Sequence, residues 1–82
     1  MHYVYILKSF KDGSYYIGCT SNLNKRLKVH NLGKTRSLKN KRPLEIIYKE
    51  DYTSATEAFA RERQIKSYKG GIAFKKLLGG VA

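Results

Sequence analysis

Two short apolar runs, Tyr3 to Leu7 and Tyr15 to Cys19, flank Lys11-Asp12-Gly13-Ser14, and no other feature constrains the fold as much. β-Branched and aromatic residues favour extended chain, and runs this short suit strands. Gly accepts positive φ and Asp tolerates it, so the intervening stretch reads as a turn and the runs as an antiparallel hairpin. Side chains alternate along a strand, so loop length decides which of them share a face. A two- or four-residue loop puts Tyr5 and Tyr16 on the same face. The four-residue version sets Tyr5 opposite Gly18, whose missing side chain leaves space beside the ring.

Downstream, Thr20 or Ser21 can cap a helix running to about His30 or Asn31. At about 100° per residue, Leu23, Leu27, His30 and Arg26 gather on one side of it, and Lys25 and Lys28 on the other. Arg26 is therefore expected to point toward the protein body, where a charge needs a partner. Asn31-Leu32-Gly33 ends the helix by a glycine stop. Lys34 to Pro43 is polar, basic and without period, hence a loop. Leu44 to Lys49 reads as a third strand with Leu44, Ile46 and Tyr48 on one face, and Pro43 is acceptable at its start. Ser54-Ala55-Thr56-Glu57 has the capping-box pattern and opens a second helix to about Tyr68, stopped by Gly70-Gly71. On that helix Glu62 falls inside the stripe of Ala55, Ala58, Phe59 and Ile65, whereas Glu57 and Arg63 fall outside it. Ile72 to Leu78 is a short final helix that can cover the sheet. The expected fold class is α/β (α+β), a three-stranded, largely antiparallel sheet flanked by helices in β-β-α-β-α-α order.

The 82 residues are expected to form a single domain, 1–82, with room for one modest core. A composition of 41% hydrophobic and 28% charged residues is that of a globular chain. No apolar run approaches the roughly 20 residues that cross a bilayer, and the opening residues lack the pattern of a secretory signal. The single cysteine, Cys19, can form no internal disulfide, so nothing demands an oxidising compartment and a cytoplasmic location is expected. Cys19 has no base beside it in sequence and reads as a small apolar residue; one Cys and two separated His do not make a zinc site. Charge is the strongest compositional signal. Seventeen basic against six acidic residues leave a net charge of +11, which favours a polyanionic partner, nucleic acid before membrane. Lys25, Arg26, Lys28, Lys34, Arg36, Lys39, Lys41 and Arg42 form a one-signed segment that can track a phosphate backbone.

Two helices thus each set one charge among apolar positions, Arg26 on the first and Glu62 on the second. Such a pair can be a satisfied bridge, although bridges of this kind seldom add stability over apolar packing. Alternatively the two meet in a cleft, Glu62 holding a hard divalent cation and Arg26 a phosphate oxygen. Strand tyrosines are usually core rings with an edge hydroxyl, which is the reading for Tyr3, Tyr15, Tyr48, Tyr52 and Tyr68. Tyr5 and Tyr16 stand apart because their hydroxyls can face Arg26 and Glu62. His30, one turn from Arg26, is a candidate proton carrier or phosphate donor rather than only a packed imidazole.

These residues resemble the GIY-YIG nuclease superfamily, in its small stand-alone bacterial form. Tyr3-Val4-Tyr5 stands where the family has GIY, and Tyr16-Ile17-Gly18 is the YIG element. Asn24-Lys25-Arg26-Leu27-Lys28-Val29-His30 resembles the helix bearing the family's arginine, and Glu57-Ala58 with Glu62 and Ile65-Lys66 the helix bearing its glutamate. The resemblance covers roughly residues 2–78. It implies metal-dependent hydrolysis of DNA phosphodiester bonds, with Mg²⁺ or Mn²⁺ on Glu62, and Tyr5, Tyr16, Arg26, His30 and Glu62 as the catalytic set. The expected partner is DNA, with branched or damaged forms and RNA both left open, and the expected setting is repair or recombination. Cys19 stands where some members carry a lysine, and Leu77 to Ala82 offers no counterpart of the family's C-terminal asparagine. With no separate specificity domain expected, cutting should be structure-selective or weakly sequence-specific unless a protein partner supplies specificity. The alternative is a non-catalytic nucleic-acid-binding module that uses the 25–42 segment.

Overall fold

The computed structural model describes residues 1–32 and 41–79. Its elements are β1 (His2–Ser9), β2 (Tyr15–Thr20), α1 (Leu23–Asn31), β3 (Leu44–Tyr52), α2 (Ala55–Ser67) and α3 (Ile72–Gly79). The strands form one antiparallel sheet in the order β2-β1-β3. This is the expected three-stranded α+β architecture.

β1 takes the centre because it alone is apolar on both faces. Val4, Tyr5, Ile6 and Leu7 are each at most 1% exposed. Alternation divides them. Val4 and Ile6 meet Ala58 and Ile65 of α2 and Phe74 of α3 on one face. Tyr5 and Leu7 meet Leu23 and Leu27 of α1, with Leu44 and Ile46 of β3, on the other. The helices therefore cover opposite faces of the sheet, α1 on one and α2 with α3 on the other.

The hairpin closes as a four-residue loop. Ser9 N–H donates to the Ser14 carbonyl at 2.8 Å, and Tyr5 lies opposite Gly18. Gly13, at φ 76°, supplies the left-handed residue the turn needs. Its tip is fastened from across the chain. Ser9 Oγ donates to the Lys41 carbonyl at 2.6 Å, and Lys41 Nζ reaches Ser14 Oγ at 3.2 Å and Asp12 at 3.8 Å.

β3 departs from the sequence reading in two ways. It runs on to Tyr52, because the ladder with β1 continues to His2 opposite Tyr52 and tertiary partners hold the charged residues that propensity would exclude. It also does not keep Leu44, Ile46 and Tyr48 on one face. Leu7 lies opposite Ile46 while the adjacent Ile6 lies opposite Tyr48, so Ile47 is an extra residue. That bulge turns Tyr48 to the α2 side and leaves Leu44 and Ile46 on the α1 side.

The cap of α1 is Asn22, neither Thr20 nor Ser21. Its side chain accepts from Lys25 N–H at 3.1 Å, and Thr20 Oγ1 instead accepts from Asn22 N–H at 3.2 Å. The expected glycine stop at Gly33 lies outside the described residues. Ser54 caps α2 as expected, accepting from Glu57 N–H. After Tyr68 the chain turns through Lys69 (φ 50°) and Gly70 (φ 73°) into α3.

Candidate active site

The site grows out of the missing side chain at Gly18. Tyr5 points from the central strand across its neighbour β2, and Gly18 directly opposite is what lets it do so. A Cβ at Gly18 would stand 2.5 Å from Tyr5 Cζ and nearer still to its hydroxyl oxygen. The ring therefore lies over β2 with its hydroxyl carried toward the outer edge of the sheet. Tyr16, two residues back on the same face, sits with its ring centre 6.4 Å from that of Tyr5.

α1 brings two groups to this pair. His30 is fully buried, and its Nε2 lies 3.2 Å from the Tyr5 hydroxyl oxygen. Its ring also meets Tyr16 edge-on at 5.3 Å. Burial, and then the charge of Arg26, push its pKa below the ordinary value, so the imidazole is neutral at pH 7 and one ring nitrogen can accept a proton. Being buried, it is set back from solvent behind Tyr5.

Arg26 turns toward the two phenols yet stays exposed at the rim rather than enclosed in the body. Its guanidinium interacts with the Tyr5 hydroxyl first and Tyr16 second, which raises its own pKa. A guanidinium is cheaper to leave in water than to bury, so the phenols hold it at the surface. Burial pushes the Tyr5 phenol up to about 12, with Tyr16 and Glu62 adding to the rise and Arg26 opposing it.

Glu62 arrives from the other side of the sheet. Its side chain is 21% exposed, neither sealed in the apolar stripe nor free in solvent, and Oε2 lies 3.5 Å from Lys66 Nζ. Its charge acts on the Tyr5 phenol and on the Cys19 thiol, whose pKa burial and then Glu62 raise. The carboxylate therefore lies within electrostatic reach of both Tyr5 and Cys19. Tyr5, Tyr16 and His30 thus pack together and Arg26 interacts with both phenols, while the charge of Glu62 acts on Tyr5 from a helix on the opposite face of the sheet.

The basic segment is divided. Lys25 and Lys28 are exposed along α1. Lys41 is engaged with the hairpin turn, and Arg42 Nη1 donates to the Asn31 carbonyl at 3.4 Å. Lys34, Arg36 and Lys39 lie outside the described residues.

Two arrangements escaped the sequence reading. Asn31, directly after His30, pairs with the backbone of Leu44 as a neighbouring strand would. Its Nδ2 donates to the Leu44 carbonyl at 3.1 Å, and its Oδ1 accepts from Leu44 N–H at 2.9 Å. This pins the His30 end of α1 to the start of β3. The other is a carboxylate network on the α2 side. Glu50 accepts hydrogen bonds from the hydroxyls of Tyr48 and of Tyr52 (2.6 Å), and from Arg61 Nε and Nη2 at 2.9 and 3.0 Å. Tyr48, Glu50 and Tyr52 recur at every second residue, a pattern that marks one face of a strand. The four groups satisfy one another and tie β3 to α2.

A small α+β domain that sets two phenols, a guanidinium and an imidazole together at a sheet edge, with a carboxylate in electrostatic reach, carries groups suited to phosphate chemistry. The family comparison agrees: the GIY-YIG catalytic domain matches residues 1–73, and the chain belongs to the GIY-YIG family. Similar proteins include UPF0213 proteins of Staphylococcus epidermidis (46% identical) and Staphylococcus haemolyticus (44%), each over 68 residues covering 82% of both chains. One from Staphylococcus aureus is 41% identical over the same span. No solved structure matches. The family is one of nucleases that act on DNA and generally depend on a divalent metal. Among the described residues no helix is long and apolar enough to cross a membrane.

Proposed function

We propose that this protein is a divalent-metal-dependent endonuclease that hydrolyses DNA phosphodiester bonds, structure-selectively or with weak sequence preference. The observation that carries the reading is the Tyr5 hydroxyl, which meets neutral His30 at 3.2 Å and the guanidinium of Arg26 while Glu62 acts on it from the opposite helix.

Arg26, exposed at the rim, is placed to bind a phosphate oxygen and to stabilise the charge that grows on it during attack. With a pKa near 12, Tyr5 is a phenol at neutral pH. It can lose its proton only as a negative charge on its oxygen is stabilised, and His30 Nε2 is placed to receive that proton. His30 is then a positioning and proton-holding group behind Tyr5. Tyr16, partly exposed beside it, offers a second hydroxyl to the attacking water or the phosphate.

Glu62 fits a metal of one kind. Among the described residues no three His, Cys, Asp or Glu cluster, so the protein would offer few ligands, with Glu62 as the carboxylate. Mg²⁺ or Mn²⁺ suits that donor set, since Mg²⁺ keeps several waters and takes one or two carboxylates plus substrate phosphate. Bound there, the ion would supply positive charge and a more acidic water. Lys25 and Lys28, with the rest of the 25–42 segment, would contact the DNA backbone.

The test is nicking of supercoiled plasmid and cleavage of branched DNA with Mg²⁺ or Mn²⁺. Loss of cleavage in Glu62→Ala and Tyr16→Phe, with DNA binding retained, is the expected result. Cleavage by Glu62→Ala at the wild-type rate would remove the assignment. Binding without cleavage by the wild type would leave a nucleic-acid-binding module, a reading supported by the Lys66 ammonium already resting on Glu62.

A further inference from the structure

The basic run at 25–42 was legible in the sequence, but the described residues carry a second concentration of charge that it does not include. Between Ala58 and Gly79 there are six cations, Arg61, Arg63, Lys66, Lys69, Lys75 and Lys76, against one acid, Glu62. Arg61 is taken up by Glu50, and Lys66 rests on Glu62. Arg63, Lys69, Lys75 and Lys76 are exposed, and none has a carboxylate within salt-bridge distance among the described residues. Lys66 follows Glu62 by one helical turn on the same face of α2, and Lys69 continues at the corner where α2 gives way to α3. The charges lead away from the candidate metal ligand.

The backbone at that corner is a separate observation. Lys69 has φ 50°, and among the described residues it is the one non-glycine residue with positive φ. An L-residue in the left-handed region pays a steric cost that glycine avoids and asparagine reduces. Strain of this kind tends to persist where a side chain is needed for something other than stability. A cation is kept here at a position where a better turn residue is available.

We infer that the α2–α3 corner, centred on Lys69 with Lys75 and Lys76, is a second phosphate-binding surface that grips the DNA backbone from the face of the sheet opposite α1. The inference rests on the reading of the chain as a DNA-binding protein and extends it. α1 with Lys25 and Lys28 covers the Tyr5 face, whereas α2 and α3 cover the Val4 face. The β2 edge, where the candidate active site opens, lies between them. The domain measures 29 × 28 × 20 Å, less than the roughly 34 Å of one turn of B-DNA, so it is small enough for both surfaces to fall within a single turn of one duplex laid on that edge. The two surfaces then hold the duplex from either side of the edge.

The experiment is binding of a short fluorescent DNA duplex in EDTA across a range of salt, with thermal melting of each variant. Each lost lysine–phosphate contact lowers the slope of log K against log salt by about one. Lys69→Asn should lower the slope by about one while melting at or above the wild-type temperature, because asparagine suits the left-handed turn better. Adding Lys75→Gln and Lys76→Gln should lower it by about three in all. A triple variant with the wild-type slope, or a Lys69→Asn variant that melts below wild type, overturns the inference. The double variant Lys25→Gln, Lys28→Gln separates the two claims. A slope that falls there but not in the triple variant leaves the DNA-binding reading intact and removes the second surface. A wild type with no salt-dependent binding removes both.

Discussion

Acid titration of the Glu50 network offers a sharp quantitative test of how the two layers of this domain are joined. Burial pushes the Glu50 carboxyl up, but hydrogen bonds from Arg61, Tyr48 and Tyr52 and the charge of Arg61 outweigh it, and the pKa is drawn from 4.5 down to about 2. The side chains of Glu50 and Arg61 are only 18% and 23% exposed, so solvent screens the pair weakly. A depression of about 2.5 pKa units at 1.36 kcal/mol each corresponds to about 3 kcal/mol of stability. Because the folded carboxyl titrates below the unfolded one, that contribution is complete above about pH 4.5 and is lost as pH falls toward 2. The perturbation is Glu50→Gln, which keeps the shape but cannot neutralise Arg61. Urea unfolding of wild type and variant from pH 7 to pH 2 should show a difference of about 3 kcal/mol at neutral pH that shrinks toward zero near pH 2. Repulsion among the remaining positive charges grows in both proteins as the pH falls and largely cancels in that difference. Domains of this size hold roughly 5 kcal/mol or more, so the variant should remain folded at pH 7. A difference that stays constant with pH would mean the carboxylate's charge is not what the network uses.

Gly18→Ala should abolish nicking and cost about 1–3 kcal/mol of stability, since its Cβ meets the Tyr5 ring at 2.5 Å and must displace it; unchanged nicking would show that the ring's position is immaterial. Asn31→Ala should destabilise by about 1–3 kcal/mol by leaving the Leu44 N–H and carbonyl without their side-chain partners. It should also slow nicking more than it weakens DNA binding, because the His30 end of α1 loosens under Tyr5. Equal losses in binding and rate would confine Asn31 to stability.

Much of the scaffold could be read from local pattern. The alternation around Asp12-Gly13 anticipated Tyr5 and Tyr16 on one face, and Tyr5 opposite Gly18 is what a four-residue loop requires. The Ser54 cap of α2 was equally legible, because such a cap depends on residues three apart. The α1 cap missed by one to two residues, since Thr20, Ser21 and Asn22 are all competent and only the turn geometry chooses Asn22.

The chain's local periodicities and turns were enough to set the order and type of its strands and helices and the excess of positive charge, because each arises among residues a few positions apart, whereas the phenols' shared face waited on the hairpin register. Only the folded molecule decided that Arg26 stays at the rim, that Glu62 approaches from the opposite face of the sheet, and that Ile47 bulges and turns Tyr48 away from Ile46. The Glu50–Arg61 bridge and the Asn31–Leu44 clasp belong with these, joining residues 11 and 13 positions apart across different elements. Such pairings depend on how helices seat on the sheet, and a wheel or an alternation carries no record of the surface it will meet.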